Sequence, residues 1–332
     1  MIKNPTSIAT EDKRNDLLIR VASMYYERDY SQQKIADILN ISSEKNMSRS
    51  NVSRLLKEAR EKGFVEIRVH KQFPTEPELE NALVEAFGVT DALVLESNGA
   101  DYDARLEQVG QLAALHLSRV IGEGDSIGIA WGTGVASAVS AFPLMPANGN
   151  DVVQMLGTVG NVDSVLDGPE LARELATKLG GQHYHMHAPL FVDSPAARDI
   201  FIQQTAIAEA LRRARAVKAA LVGIGTTVRG RSSFLRAGHL TEDELETLRE
   251  AGAVGESAGQ HFDMDGKATG LDINQRVIGL PADEIRKIPG KVAVACGPHK
   301  TRSIVGALRG GYVDVLATDD MTARAVLDEI AH

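Results

Sequence analysis

Apolar residues return at helical spacing in two consecutive stretches near the start of the chain. Ile35, Ile38 and Leu39 fall at i, i+3 and i+4, and Val52, Leu55, Leu56 and Ala59 repeat the interval. The pattern predicts two amphipathic helices, each with one stripe to bury. Ser31 precedes the first as a side-chain cap, and Gln32 and Gln33 occupy its first turn, within reach of a phosphate. The polar face of the second holds Arg49, Ser50, Asn51, Ser53, Arg54 and Lys57. Short polar groups suit base edges, and cationic arms suit phosphates. Between Tyr25 and Ile67 the chain therefore reads as a helix-turn-helix, the first helix crossing the DNA backbone and the second reading bases. Gly63 ends the second helix, and Phe64 to Val69 alternates like a short wing strand. A solvated basic face on an ordinary helical hairpin would explain the charges, but not the cap, the polar inventory and the trailing strand together.

At Phe73-Pro74-Thr75-Glu76-Pro77 two prolines interrupt both kinds of pattern and mark a boundary, predicting domains at 1–72 and 73–332. Beyond it, short apolar runs alternate with helical patterns. The runs are Ala92 to Leu95, Ser126 to Ala130, Val152 to Leu156, Ala219 to Ile224, Val292 to Cys296 and Val313 to Ala317. Helices are expected over Ala104 to Ile121, Val135 to Phe142, Pro169 to Leu179, Thr301 to Leu308 and Met321 to Ile330. The fold class is α/β: a small all-α winged helix-turn-helix domain, then a domain built on a mostly parallel sheet with helices on both faces.

Charge sharpens this division. The chain has 332 residues and a formal net charge of −9, yet residues 1 to 72 hold 14 Lys+Arg against 10 Asp+Glu, net +4. A basic end on an acidic body orients docking to DNA and disfavours a nonspecific, chromatin-type binder. No apolar stretch approaches the roughly 20 residues of a membrane helix, and Met1 to Thr10 lacks a signal-peptide layout. A cytoplasmic protein with no membrane partner is expected. The single cysteine, Cys296, excludes an intramolecular disulfide and reads as a small buried hydrophobe.

Ligands of parallel sheets gather beyond the carboxyl ends of the strands. There the chain places Trp131-Gly132-Thr133-Gly134, Gln154-Met155-Leu156-Gly157, Gly223-Ile224-Gly225-Thr226-Thr227 and Cys296-Gly297-Pro298-His299-Lys300. Glycines admit an anion to backbone amides, threonines add hydroxyls, and Lys300 in the first turn of a helix opposes the dipole and calls for an anionic companion. His183, His185 and His187 alternate along a predicted strand, Gln182 to Ala188. In a straight strand the outer two lie about 13 Å apart, too far to share one metal ion.

The Ser-Gln-Gln-Lys-Ile-Ala and Val-Ser-Arg-Leu-Leu-Lys-Glu-Ala-Arg-Glu-Lys-Gly runs resemble the SorC family of sugar-responsive bacterial transcriptional regulators. So do Gly297 to Asp319, Val254-Gly255-Glu256 and Phe262-Asp263-Met264-Asp265-Gly266, and the likeness covers nearly the whole chain after Asp16. The resemblance implies an effector domain related to sugar-phosphate isomerases and deaminases, a homodimer or homotetramer, a double-stranded operator and a phosphorylated sugar or polyol as effector. It implies phosphate contacts from Lys300, Gly132-Thr133-Gly134 and Gly225-Thr226, with Gln154 and Glu256 facing hydroxyls. Gly157 and Thr227, in the same turns, complete the expected effector site. No cofactor is expected.

Three departures stand out. Ser43 to Ser48 are extra residues before Arg49, so either the loop bulges or the recognition helix begins early, near Ser43. Glu256 stands where aspartate is expected, lengthening the acidic arm. The Gln154 turn has no lysine, which favours noncovalent binding over an imine. The expected function is repression relieved by an inducer. The alternative is a sugar-phosphate isomerase or deaminase with a fused DNA-binding head, for which Glu256 and His261 would be the acid–base pair.

Overall fold

The computed structural model describes residues 5–28, 30–41, 47–65, 73–160, 166–268 and 271–331. The chain divides into two compact units, Met1–Gln72 and Phe73–His332, each with its own apolar core.

The first unit contains α1 (Pro5–Tyr26), α2 (Gln32–Ile41) and α3 (Arg49–Glu61). The stripes predicted for α2 and α3 close on Leu18, Val21 and Ala22 of α1. This long first helix had no counterpart in the sequence reading, although Leu18, Val21, Ala22 and Tyr25 carry the same spacing. Arg14 on α1 and Glu58 on α3 form a two-point ion pair, at 3.3 and 2.6 Å. Ser31 caps α2 by accepting from the Lys34 amide at 3.2 Å. Ser48 is extended and accepts from the Asn51 amide at 3.2 Å, so α3 begins at Arg49 and not near Ser43. The extra residues 43–46 lie outside the described residues, as does the wing-like strand beyond Val65.

The second unit is built on a seven-stranded sheet in which every pairing is parallel. Its strands are β1 (Asp91–Leu95), β2 (Ile127–Ile129), β3 (Asn150–Gln154), β4 (Gly180–Tyr184), β5 (Ala219–Gly223), β9 (Lys291–Val294) and β10 (Val315–Asp319), in spatial order β1-β10-β9-β5-β2-β3-β4. A small antiparallel sheet joins β6 (Gly225–Thr226), β7 (Gly255–Ser257) and β8 (Gln260–Phe262). The helices are α4 (Pro77–Phe87), α5 (Tyr102–Val120), α6 (Thr133–Ala141), α7 (Gly168–Leu179), α8 (Pro195–Ile202), α9 (Thr205–Arg215), α10 (Ser233–Arg236), α11 (Glu242–Glu250), α12 (Ala282–Ile285), α13 (Thr301–Arg309) and α14 (Asp320–Ala331). β9 and β10 are buried along their whole length, which is why they read as unbroken apolar runs.

The prolines that mark the expected boundary lie in the second unit, where Thr75 bridges Leu95 and Pro77 opens α4. Two expectations are corrected here. The strand expected over Gln182 to Ala188 leaves the ladder after Tyr184. Cys296 is buried but is more than a small hydrophobe: its thiol donates to Asp319 Oδ2 at 2.7 Å, and burial with that carboxylate pushes it up to about 12.

From β2 the chain proceeds to β3 and β4 on one side; from β5 it proceeds to β9 and β10 on the other. The adjacent pair β2 and β5 is therefore a topological switch point, and a crevice opens beyond its carboxyl ends.

Candidate functional site

That crevice is a cleft of about 320 Å³. β2 delivers Trp131 and Gly132, β5 delivers Ile224, Gly225 and Thr226, and the segment after β9 delivers His299 and Lys300. Gly132 has φ +107, a region that favours glycine, and leaves the first turn of α6 without a side-chain cap. The Thr133 and Gly134 amides are thus open to an anion at the positive end of a helix. A Cβ on Gly134 would stand 2.7 Å from the Val294 carbonyl, so only glycine lets α6 pack this close to β9.

Glu256 enters from β7, in register with Gly225 of β6. A Cβ on Gly225 would come within 2.2 Å of Glu256 Oε1, so the bare backbone makes room for the acid. Burial pushes its carboxyl up to about 7, against the pull of the Gly259 amide, bonded at 3.2 Å, and of Lys300. Lys300 ends a 3₁₀ turn, Pro298–Lys300, directly before α13. Burial holds its ammonium below the usual range; Glu256 raises it and Arg236 lowers it.

The structure gathers Gly132, Thr133, Gly134, Gly225, Thr226, Glu256 and Lys300 in this one cleft. It does not bring Gln154, Gly157 or Thr227 there. β3 lies beyond β2, one strand from the crevice, and Gln154 Oε1 accepts from the Met186 amide at 3.1 Å. A Cβ on Gly157 would meet the Pro189 carbonyl at 2.3 Å. Thr227 donates to the Ala253 carbonyl at 2.9 Å and lines a neighbouring groove.

The sequence reading missed Tyr102, Arg231, Arg236 and His299, which also line the cleft. Arg231 and Arg236 sit in a stretch without periodicity. The signal there was charge: Thr227 to Leu240 holds three arginines and no acidic residue. His299 stays below its usual range through burial and through Lys300, Arg231 and Arg236. So many cations around one concavity favour a phosphate.

His261 pairs with Glu256 across β7 and β8, but its ring rests on Phe234, with centroids 4.9 Å apart, and it does not line the cleft. Burial pushes it down to about 3, so it is neutral. The acid–base pair that an isomerase would use is therefore not assembled in the cleft. The rings of His183, His185 and His187 follow one another at 4.7 and 5.9 Å. Among the described residues no group of three or more metal-ligating side chains is arranged to hold an ion.

In the first unit Ser31, Gln33, Arg49, Ser50, Ser53, Arg54 and Lys57 are exposed, and Gln32 and Asn51 are half-buried. Arg54 Nη2 donates to Asn51 Oδ1, Gln33 donates to Asp37 at 3.0 Å, and Lys57 lies 3.7 Å from Glu61. α3 thus offers a polar, cationic face opposite its buried stripe.

A parallel α/β domain with a cleft at its switch point, carried on a chain with a capped helix pair, defines a class: regulators that sense small molecules. The chain belongs to the SorC family of sugar-binding transcriptional regulators. The sugar-binding domain family (Sugar-bind) matches residues 71–328. The deoxyribonucleoside regulator of Bacillus subtilis (strain 168) is 31% identical over 96% of this chain and 99% of its own length. The sorbitol operon regulator of Klebsiella pneumoniae is 28% identical over 94% and 97%. The crystal structure of full-length SorC from Klebsiella pneumoniae superposes with a TM-score of 0.73 at 27% identity, covering 94% of this chain and 98% of that one. The sugar-binding domain of a transcriptional repressor from Vibrio fischeri gives 0.70 at 30% identity, covering 77% and 100%. These relatives are transcriptional regulators and not enzymes, which sets aside the isomerase or deaminase alternative.

Proposed function

We propose that this regulator represses a carbohydrate catabolic operon and is released by a phosphorylated sugar or polyol bound in the cleft at the switch point. One observation carries the reading: the open first turn of α6, the Gly225-Thr226 turn, Lys300, Arg231 and Arg236 surround a single concavity whose one carboxyl among the described residues, Glu256, is pushed toward its neutral form. The phosphate sits on the α6 amides and the cations, and Glu256 meets the hydroxyls. Ser31, Gln32 and Gln33 hold the operator backbone. Arg49, Ser50, Asn51, Ser53, Arg54 and Lys57 present α3 to the bases and flanking phosphates. A near-palindromic operator calls for a homodimer or homotetramer, and the effector shifts the population of its arrangements. The protein works in the cytoplasm, where both phosphorylated sugars and DNA are met.

A thermal-stability screen of phosphorylated aldoses, ketoses, deoxy sugars and polyols, each beside its unphosphorylated parent, tests this. A ligand of the folded state raises the melting temperature by mass action. The expected result is a shift with one phosphorylated compound, none with its parent, and release of bound duplex by the same compound. A shift from the parent sugar alone would remove the phosphate from the reading.

A further inference from the structure

α2 ends at Ile41 and α3 begins at Arg49. Residues 42–48 therefore separate two helices that a helix-turn-helix ordinarily joins by about three to four residues. A longer connection costs more entropy to close and fixes the entry of the second helix less tightly. Asn40, one residue before the end of α2, offsets this. Its Nδ2 donates to the Met47 carbonyl at 2.8 Å, and its Oδ1 accepts from the Met47 amide at 2.9 Å. One carboxamide thus grips both backbone groups of one residue, as a strand partner would. Met47 also packs against the apolar core of this unit. It leads directly into Ser48, whose Oγ caps the Asn51 amide and lies 2.8 Å from Ser50 Oγ.

We infer that Asn40 is a positioning residue for DNA recognition: its two-point clasp on Met47 sets where α3 begins and hence which side chains meet base edges. The inference rests on the reading of α3 as the recognition helix. Asn40 itself is exposed, and its removal leaves the apolar stripes intact. Its loss therefore acts on the aim of α3 more than on its existence.

The test uses the full-length chain and a duplex that it selects from a random-sequence pool, with a shuffled duplex as reference. Asn40→Ala should lose about tenfold of the preference for the selected duplex while keeping its affinity for the shuffled one. Asn40→Asp, which keeps the acceptor for the Met47 amide, should recover part of it. Hydrogen exchange in Asn40→Ala should quicken at Met47 and Asn51 and stay slow from Leu55 to Arg60. If α3 lost protection along its whole length, Asn40 would be a fold element and the inference would fail. An Asn40→Ala chain that discriminates as well as the parent overturns the inference alone. A parent chain that selects no duplex overturns the DNA-binding reading, and the inference with it.

Discussion

Glu256 and His261 face each other across two short strands and are both buried, with opposite consequences for stability. The acid is raised from an ordinary 4.5 to about 7, so its contribution is full below 4.5 and is lost as pH rises through 7. The imidazole is lowered from 6.5 to about 3, so its contribution is full above 6.5 and is lost as pH falls through 3. Between 4.5 and 6.5 the two slopes oppose. Glu256→Gln should remove one of them, so that between 4.5 and 6.5 stability climbs with pH more steeply than in the parent; denaturant titrations at stepped pH measure it. An unchanged profile would separate Glu256 from this balance. Lys300→Ala should weaken effector binding at least tenfold, the scale of one charge-assisted hydrogen bond, and leave duplex binding without effector unaltered. Calorimetry with the stabilising compound and a gel shift decide it. Arg54→Ala should weaken binding to the selected duplex by about 1 to 3 kcal/mol; equal loss on shuffled DNA would confine Arg54 to phosphate contact.

At the scale of elements, α3 depends on its cap. Ser48→Ala should cost about 1 kcal/mol of stability in the first unit, read as a lower denaturation midpoint in far-ultraviolet circular dichroism. The two caps differ in what the sequence discloses. Ser31 marks the start of α2 in the sequence, whereas Ser48 stands among the extra residues that leave the start of α3 open until its cap is seen. β5, β9 and β10 are legible because strands covered on both faces need no polar alternation. The small sheet of β6, β7 and β8 is not legible, because strands of two or three residues are shorter than any period. The cleft divides in the same way. Glycine and threonine turns after strands pointed to Gly132-Thr133-Gly134 and Gly225-Thr226. The same rule also named Gln154 and Gly157, which do not line this cleft, because strand order across the sheet, and not position along the chain, decides which ends flank the crevice. Arg231 falls in a turn and Arg236 closes the four-residue α10, too short to show a period, so only an excess of one charge marks them.

At the scale of the molecule, each of the two units has its own core, and two unfolding transitions are expected in calorimetry. A fragment starting at Phe73 should keep the effector-induced stabilisation of the full chain, about 2.7 kcal/mol at a hundredfold excess over Kd, while losing all affinity for duplex. Scanning calorimetry of fragment and full chain compares them, and a fragment that no longer responds would show that the first unit takes part in sensing. The sheet carries a further consequence. Its first strand pairs with its last, Asp91 beside Val315 and Leu95 beside Asp319. On the ribosome β1 emerges early and must wait, unpaired, until β10 has been made. A chain cut short before Val315 leaves β1 without its neighbour, so the sheet of the second unit closes only when nearly all of that unit has been made.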